Sequence, residues 1–275
     1  MDTVNRVKLS MRLAALSSSV SFLIVITVNA LANALPINGV NTGQLSDELP
    51  NLFVPAGLTF SIWGLIYLLL AGYAIAVVMA AFGKKTAANW MAADGWIFSL
   101  NMAANVGWIF AWQYRQVGIS LALMLVILAT LVWLEERNAS RERSAGGTES
   151  SGALQRFLLS TPVNVYLGWI CVATIANVTA LLVKAGWNGF GIDPRAWTVA
   201  LIAAGLAAGL LLAFLRKAVA APLVIVWAYV GIVLKRTQTD GSTTRIVWIA
   251  AGAAAAILLV VAVARYISFK IPKRA

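Results

Sequence analysis

The side chains in this sequence equipped to hold a ligand are aromatic rings and amides set inside apolar runs. Asn101, Asn105, Trp108 and Trp112 follow at offsets of 4, 3 and 4. At about 100° per residue that places them on one face of a helix. Tyr166, Trp169, Ala173 and Asn177 repeat the arrangement, and Phe60, Trp63 and Tyr67 share a face further upstream. Flat rings stack on flat molecules, while an amide or phenol supplies a few orienting hydrogen bonds. The same rings also pack on one another, and asparagine also joins helices, so the spacing suits a ligand wall and a helix seam alike.

Other chemistries lack their residues. The chain has no histidine, and Cys171 is its single cysteine. That excludes a disulfide framework, Cys/His zinc, His-ligated haem, and Ser-His-Asp or Cys-His catalysis. No Lys, Arg, Asp or Glu lies near the middle of an apolar run. Proton relays, ion-coupled pumps and voltage sensors need such groups, and a retinal Schiff base needs a buried lysine. Cys171, in an apolar helix, reads as an inert small hydrophobe. The expectation is a protein that is not an enzyme, with no catalytic residue, no metal site and no cofactor.

The elements that must position these residues follow from composition. The 275 residues are 61% hydrophobic and 11% charged, with mean hydropathy +0.84. Soluble domains carry about 25% charged residues. The predicted class is all-α, a polytopic membrane bundle. A span needs roughly 20 apolar residues, and eight runs qualify: 14–34, 57–82, 91–112, 117–136, 157–183, 196–215, 218–234 and 246–267. The seventh is short and begins near Pro222, which suits a first helical turn.

The net charge of +11 resides in short loops, where it orients a membrane protein, so no nucleic-acid partner is expected. With the N-terminus inside, Arg6, Lys8, Arg12, Lys84, Lys85, Arg137, Arg141, Arg143, Arg156, Arg216, Lys217, Arg265, Lys270, Lys273 and Arg274 fall on the cytoplasmic side. Arg115, Lys184, Arg195, Lys235, Arg236 and Arg245 fall on the other, a bias of 15 to 6. The expected location is a bacterial cell membrane with N- and C-termini cytoplasmic. Ala32-Asn33-Ala34 resembles a signal-peptide cleavage site, but the run before it is long, and a retained helix is expected.

Residues 36–56, with Pro36, Pro50, Pro55 and no basic residue, read as an outer loop held by turns. Residues 138–152 read as a flexible cytoplasmic linker. Trp90, Trp187 and Trp197 stand at span ends, as belt residues do, whereas Trp227 and Trp248 carry no signal. Gly205-x-x-x-Gly209 lets helices approach closely, within the chain or in a homodimer.

Three ordered blocks carry a resemblance. Phe53-Val54-Pro55-Ala56-Gly57-Leu58-Thr59-Phe60-Ser61-Ile62-Trp63 through Tyr67 is similar to F-x-P-P-G-x-x-F-x-x-W-x-x-x-Y. Asn105-Val106-Gly107-Trp108 fits N-x-x-W, and Arg115-Gln116-Val117-Gly118 fits the turn after it. Tyr166 to Asn177 matches Y-L-x-W-x-x-x-A-T-x-x-N. The set resembles the TspO/MBR family of tryptophan-rich sensory proteins and the translocator protein (peripheral benzodiazepine receptor). The resemblance covers roughly residues 10–185 and identifies an extended form. It implies a five-helix TspO-like unit over 1–185 and an additional three-helix segment over 186–275.

The resemblance further implies a pocket between helices one to five, closed by the 36–56 loop. Family members bind porphyrins, and some bind sterols and benzodiazepine-like drugs. Carried onto this chain, the ligand-binding residues are Phe60, Trp63, Tyr67, Asn101, Asn105, Trp108, Tyr166, Trp169, Ala173 and Asn177. Ala56 replaces the family's second proline, and Leu58 and Ile119 stand where some members have tryptophan. The expected partners are a porphyrin-like or sterol-like molecule and the bilayer. The expected function is a membrane binding protein or sensor for a planar hydrophobic molecule such as a tetrapyrrole. The alternative is a transporter or facilitator of that ligand; light-dependent porphyrin breakdown and a scaffold with a degenerate pocket are the remaining readings.

Overall fold

The computed structural model describes residues 3–35, 37–83, 90–144, 153–216 and 218–270. Pro36, Lys84, Lys85, Lys217, Lys273, Arg274 and the second part of the expected linker lie outside the described residues, as do the side chains of Arg156 and Lys270. Among the described residues the regular elements are all helical. They are α1 (Thr3–Ala34), the short α2 (Thr42–Asp47), α3 (Ile62–Ala81), α4 (Ala92–Gln113), α5 (Val117–Ser144), α6 (Ala153–Lys184), α7 (Pro194–Leu215), α8 (Ala220–Thr239) and α9 (Arg245–Lys270). The 3-10 turn Gly57–Ser61 leads into α3, and two shorter ones are Ile37–Gly39 and Gly189–Gly191.

Each of the eight expected runs lies on its own long helix, and seven of those helices are long and apolar enough to span a membrane. The eighth, α4, carries Asp94, Ser99, Asn101, Asn105 and Gln113. A helix of that polarity needs protein around it rather than lipid. Accordingly α4 packs on both α1 and α5, with all of those residues but Ser99 buried.

The chain divides into two compact units. The first comprises Met1–Thr42 and Trp63–Tyr166. Its α1–α4 seam is built from small residues: a Cβ on Gly95 would lie 2.9 Å from the Ala14 carbonyl oxygen. Ser18 Oγ donates to Gly95 O at 3.1 Å, and Ser17 and Ser99 hydroxyls pair at 2.9 Å.

At one end of this unit Asp94 is buried and triply held. Its carboxylate accepts from the Met91 backbone N–H at 2.8 Å, from Arg137 Nε at 2.5 Å and from Arg141 Nη2 at 2.7 Å. This corrects the first part of the expected linker. Residues 138–144 continue α5, because Arg141 grips Asp94, Asn138 Nδ2 reaches Leu159 O at 3.3 Å, and Arg143 pairs with Glu136 at 2.7 Å. Trp90 is likewise not an interfacial ring. It is 2% exposed, and its Nε1 donates to the Tyr73 hydroxyl at 3.1 Å.

The second unit comprises Gly43–Ile62 and Leu167–Ala275. Here α7, α8 and α9 pack on one another. Gly205 and Gly209 serve that packing: the Tyr229 hydroxyl lies over Gly205, and Leu258 Cδ2 comes within 2.7 Å of a Cβ placed on Gly209. The Tyr229 hydroxyl donates to Ile202 O at 2.6 Å. Gly168 lets α6 meet the start of α8, since a Cβ there would stand 2.5 Å from the Ala221 carbonyl oxygen. Residues 43–62 are bound to α8 as well. The Ala56 N–H donates to Gly231 O at 3.0 Å, Trp227 Nε1 to Thr59 O at 2.9 Å, and Lys235 Nζ pairs with Asp47 at 2.5 Å.

Candidate ligand-binding site

Six of the ten residues singled out from the sequence lie in the first unit, and the structure joins four of them. The Trp63 ring stacks on Tyr67 with centroids 5.4 Å apart and meets Tyr166 edge-on at 5.7 Å. Asn105 Nδ2 donates to the Tyr166 hydroxyl. Trp108, one turn on from Asn105 along α4, stacks on Trp112 at 6.0 Å. Trp112 is fixed in turn by donating to Thr42 O at 3.2 Å.

Asn101 stands apart from this group. Its amide donates to Ile127 O at 3.0 Å and to Thr130 Oγ1 at 2.7 Å, so it joins α4 to α5. In the second unit Phe60 meets Trp169 edge-on at 5.8 Å, Ala173 is half-buried and Asn177 is buried.

The polar atoms of the first group are incompletely satisfied. Tyr67 Oη, Asn105 Oδ1 and Trp108 Nε1 are buried and have no hydrogen-bond partner among the described residues. Each such atom costs about 1–3 kcal/mol, and buried polar atoms are nearly always paired. Tyr67 Oη can donate or accept, Asn105 Oδ1 accepts, and Trp108 Nε1, one turn along α4, donates. Such a set would suit a ligand with polar atoms at its edge and flat faces between them.

The three motif blocks thus fall on the start of α3, on α4 and on α6, in the order the resemblance requires. A family model for TSPO-like proteins matches residues 15–264. The chain belongs to the TSPO-like protein family. The match runs through α7 and α8 and into α9. Membership, together with the apolar helices, makes this an integral membrane protein of a ligand-binding or sensing kind. No curated protein and no solved structure matches the chain closely enough to argue from.

Two departures from the family pattern are placed on the surface of this TSPO-like chain. Leu58 is 68% exposed and Ile119 57% exposed. The residues that sequence reasoning missed are Trp227 and Gly231, which hold the 43–62 segment, and Arg236, buried in the last turn of α8. Each acts on a distant backbone or through burial, so local spacing carries no sign of it.

Proposed function

We propose that this protein binds a planar, largely apolar small molecule of the tetrapyrrole class within the membrane, acting as a receptor or sensor with both termini cytoplasmic. Tyr67 and Tyr166 supply the faces, Trp63 is the ring that moves to admit the ligand, and Tyr67 Oη, Asn105 Oδ1 and Trp108 Nε1 supply the edge contacts. The observation that carries this reading is the set of three unpartnered buried atoms, two on the Trp63 cluster and the third on Trp108 one turn along α4 from Asn105. Because Trp63 already lies against both tyrosines, the ligand enters as that indole swings aside, and its rings take over the stacking the indole gives up.

The test is a tryptophan-fluorescence quenching titration with protoporphyrin, run on purified protein and on Asn105→Ala. Saturable quenching that weakens about tenfold in the variant is the expected outcome, since the variant removes both an acceptor and the Tyr166 contact. Equal quenching in both proteins would mean partitioning into detergent and would sink the proposal. Facilitated movement of the ligand is the second reading, and uptake into sealed vesicles separates it from sensing, because a receptor binds without transferring.

A further inference from the structure

A cavity lies wholly within the second unit and shares no residue with the Trp63 cluster. Its volume is about 1150 Å³, and it is bounded by the end of α6, the start of α7, the last turn of α8 and the 46–54 segment. Pockets for drug-sized ligands measure about 300–1,000 Å³, so this space suits a lipid-sized molecule. Its walls are mainly apolar, with Leu182 from α6 and Leu201 from α7. Trp187 and Trp197 form an aromatic pair 5.1 Å apart on one side, and Trp197 is fixed by donating to Gly189 O at 2.8 Å. Tryptophans at helix ends mark the level of the membrane–water boundary.

The polar side of this cavity is specific. Lys235 and Asp47 line it and engage each other at 2.5 Å; Asp240 lines it and accepts from Arg236 Nη1 at 2.9 Å. Arg236 itself lines the cavity and is 6% exposed, yet its Nε has no hydrogen-bond partner among the described residues. A buried guanidinium with an idle donor calls for an oxygen acceptor, and its planar fork is matched best by an oxyanion. The adjoining apolar wall calls for a chain.

We propose that this cavity binds an acyl-chain amphiphile by its acidic head. Arg236 turns the Nε edge of its guanidinium toward the cavity and donates from Nε to the head oxygen, while the chain lies along Leu182, Leu201 and the tryptophan pair. A free fatty acid and an acidic phospholipid share this chemistry.

The experiment is photolabelling of the full-length protein in phosphatidylcholine liposomes with a trace diazirine-bearing fatty acid, followed by peptide mapping. Labelling concentrated in residues 178–201 and suppressed by excess oleate is expected. Leu201→Trp, which fills the space, and Arg236→Gln should each cut that labelling about tenfold, with Trp63→Ala leaving it unchanged. Oleate competing alone identifies a free fatty acid, and phosphatidate competing equally identifies a phospholipid head. Label spread evenly over the lipid-facing helices, or methyl oleate competing as well as oleate, overturns the proposal. If Arg236→Gln fails to fold, undiminished labelling in Leu201→Trp alone overturns it.

Discussion

Trp227 and Thr59 stand 168 residues apart in the chain, and the indole Nε1 of the first donates to the carbonyl oxygen of the second at 2.9 Å. One turn away, Gly231 accepts the Ala56 N–H and leaves room for Pro55 and Thr59. A Cβ on Gly231 would run into the Thr59 hydroxyl and stand 2.9 Å from Pro55 Cβ. Gly231→Ala should therefore cost about 1–3 kcal/mol, as overpacking does. Hydrogen exchange should localise the damage to residues 53–61; unchanged protection there would refute the tether.

Tyr67→Phe removes only an oxygen that has no partner. In the ligand-free protein the change should leave thermal stability equal or slightly raised, since an unsatisfied buried hydroxyl is lost. Protoporphyrin affinity should nevertheless fall about three- to tenfold. Stability and affinity moving together would show that the hydroxyl is a packing atom only.

Asp94 holds two arginines from a nearly fully buried position, its side chain 3% exposed against 26% and 19% for Arg137 and Arg141. Breaking a buried ion pair by removing one partner costs about 3–5 kcal/mol, and the partly exposed arginines put this case at the low end. Asp94→Asn should lower the unfolding temperature and fray α5 beyond Arg137. Arg141→Lys, which keeps the charge but loses the guanidinium Nη2 that donates to both carboxylate oxygens, should give a smaller drop. Protease sensitivity at 138–144 reports both.

The Asp193 carboxyl caps α7, accepting from the Arg195 N–H at 2.7 Å. The Arg195 side chain, then its backbone N–H, hold this exposed carboxyl at about 2 against the ordinary 3.8. With the folded value lowered, the unfolded chain takes up the proton first as pH falls. The cap's contribution is therefore complete above about pH 4 and is lost as pH drops through about 2. NMR titration should show this midpoint, and Arg195→Gln should move it upward; a midpoint near 3.8 in both proteins contradicts the cap.

Topology is testable because Cys171 is the sole cysteine. In a Cys171→Ser background, Asn188→Cys should react with a membrane-impermeant maleimide on intact cells, and Arg143→Cys only after lysis. Both positions are exposed. The reverse pattern would invert the orientation drawn from the basic residues.

The eight long helices were legible because a bilayer sets a length that apolar runs either meet or miss. The aromatic cluster was legible in part. The 3- and 4-residue offsets put Asn105 and Trp108 on one face, yet nothing in the same offsets tells that Asn101 turns its amide to Thr130 on α5. The 138–144 stretch misled because Ser and Arg compose linkers, while the group that keeps it helical is Asp94, 47 residues upstream of Arg141. Trp90 misled in the same way: its position at a span end suggested an interface, and its Tyr73 partner lies 17 residues back. Composition reports what a segment tolerates, and only the fold reports what it meets.

The pairing of residues 43–62 with α8 also bears on how the protein is made. At about 5–20 residues per second, the ribosome needs roughly 10–30 s after Thr59 to deliver Trp227. For that interval α1 and α3 can already be in the bilayer while the segment joining them lacks its anchor. The last helices thus act as a closing step in biogenesis, and a nascent chain halted before Trp227 would present the 43–62 segment to proteases and chaperones.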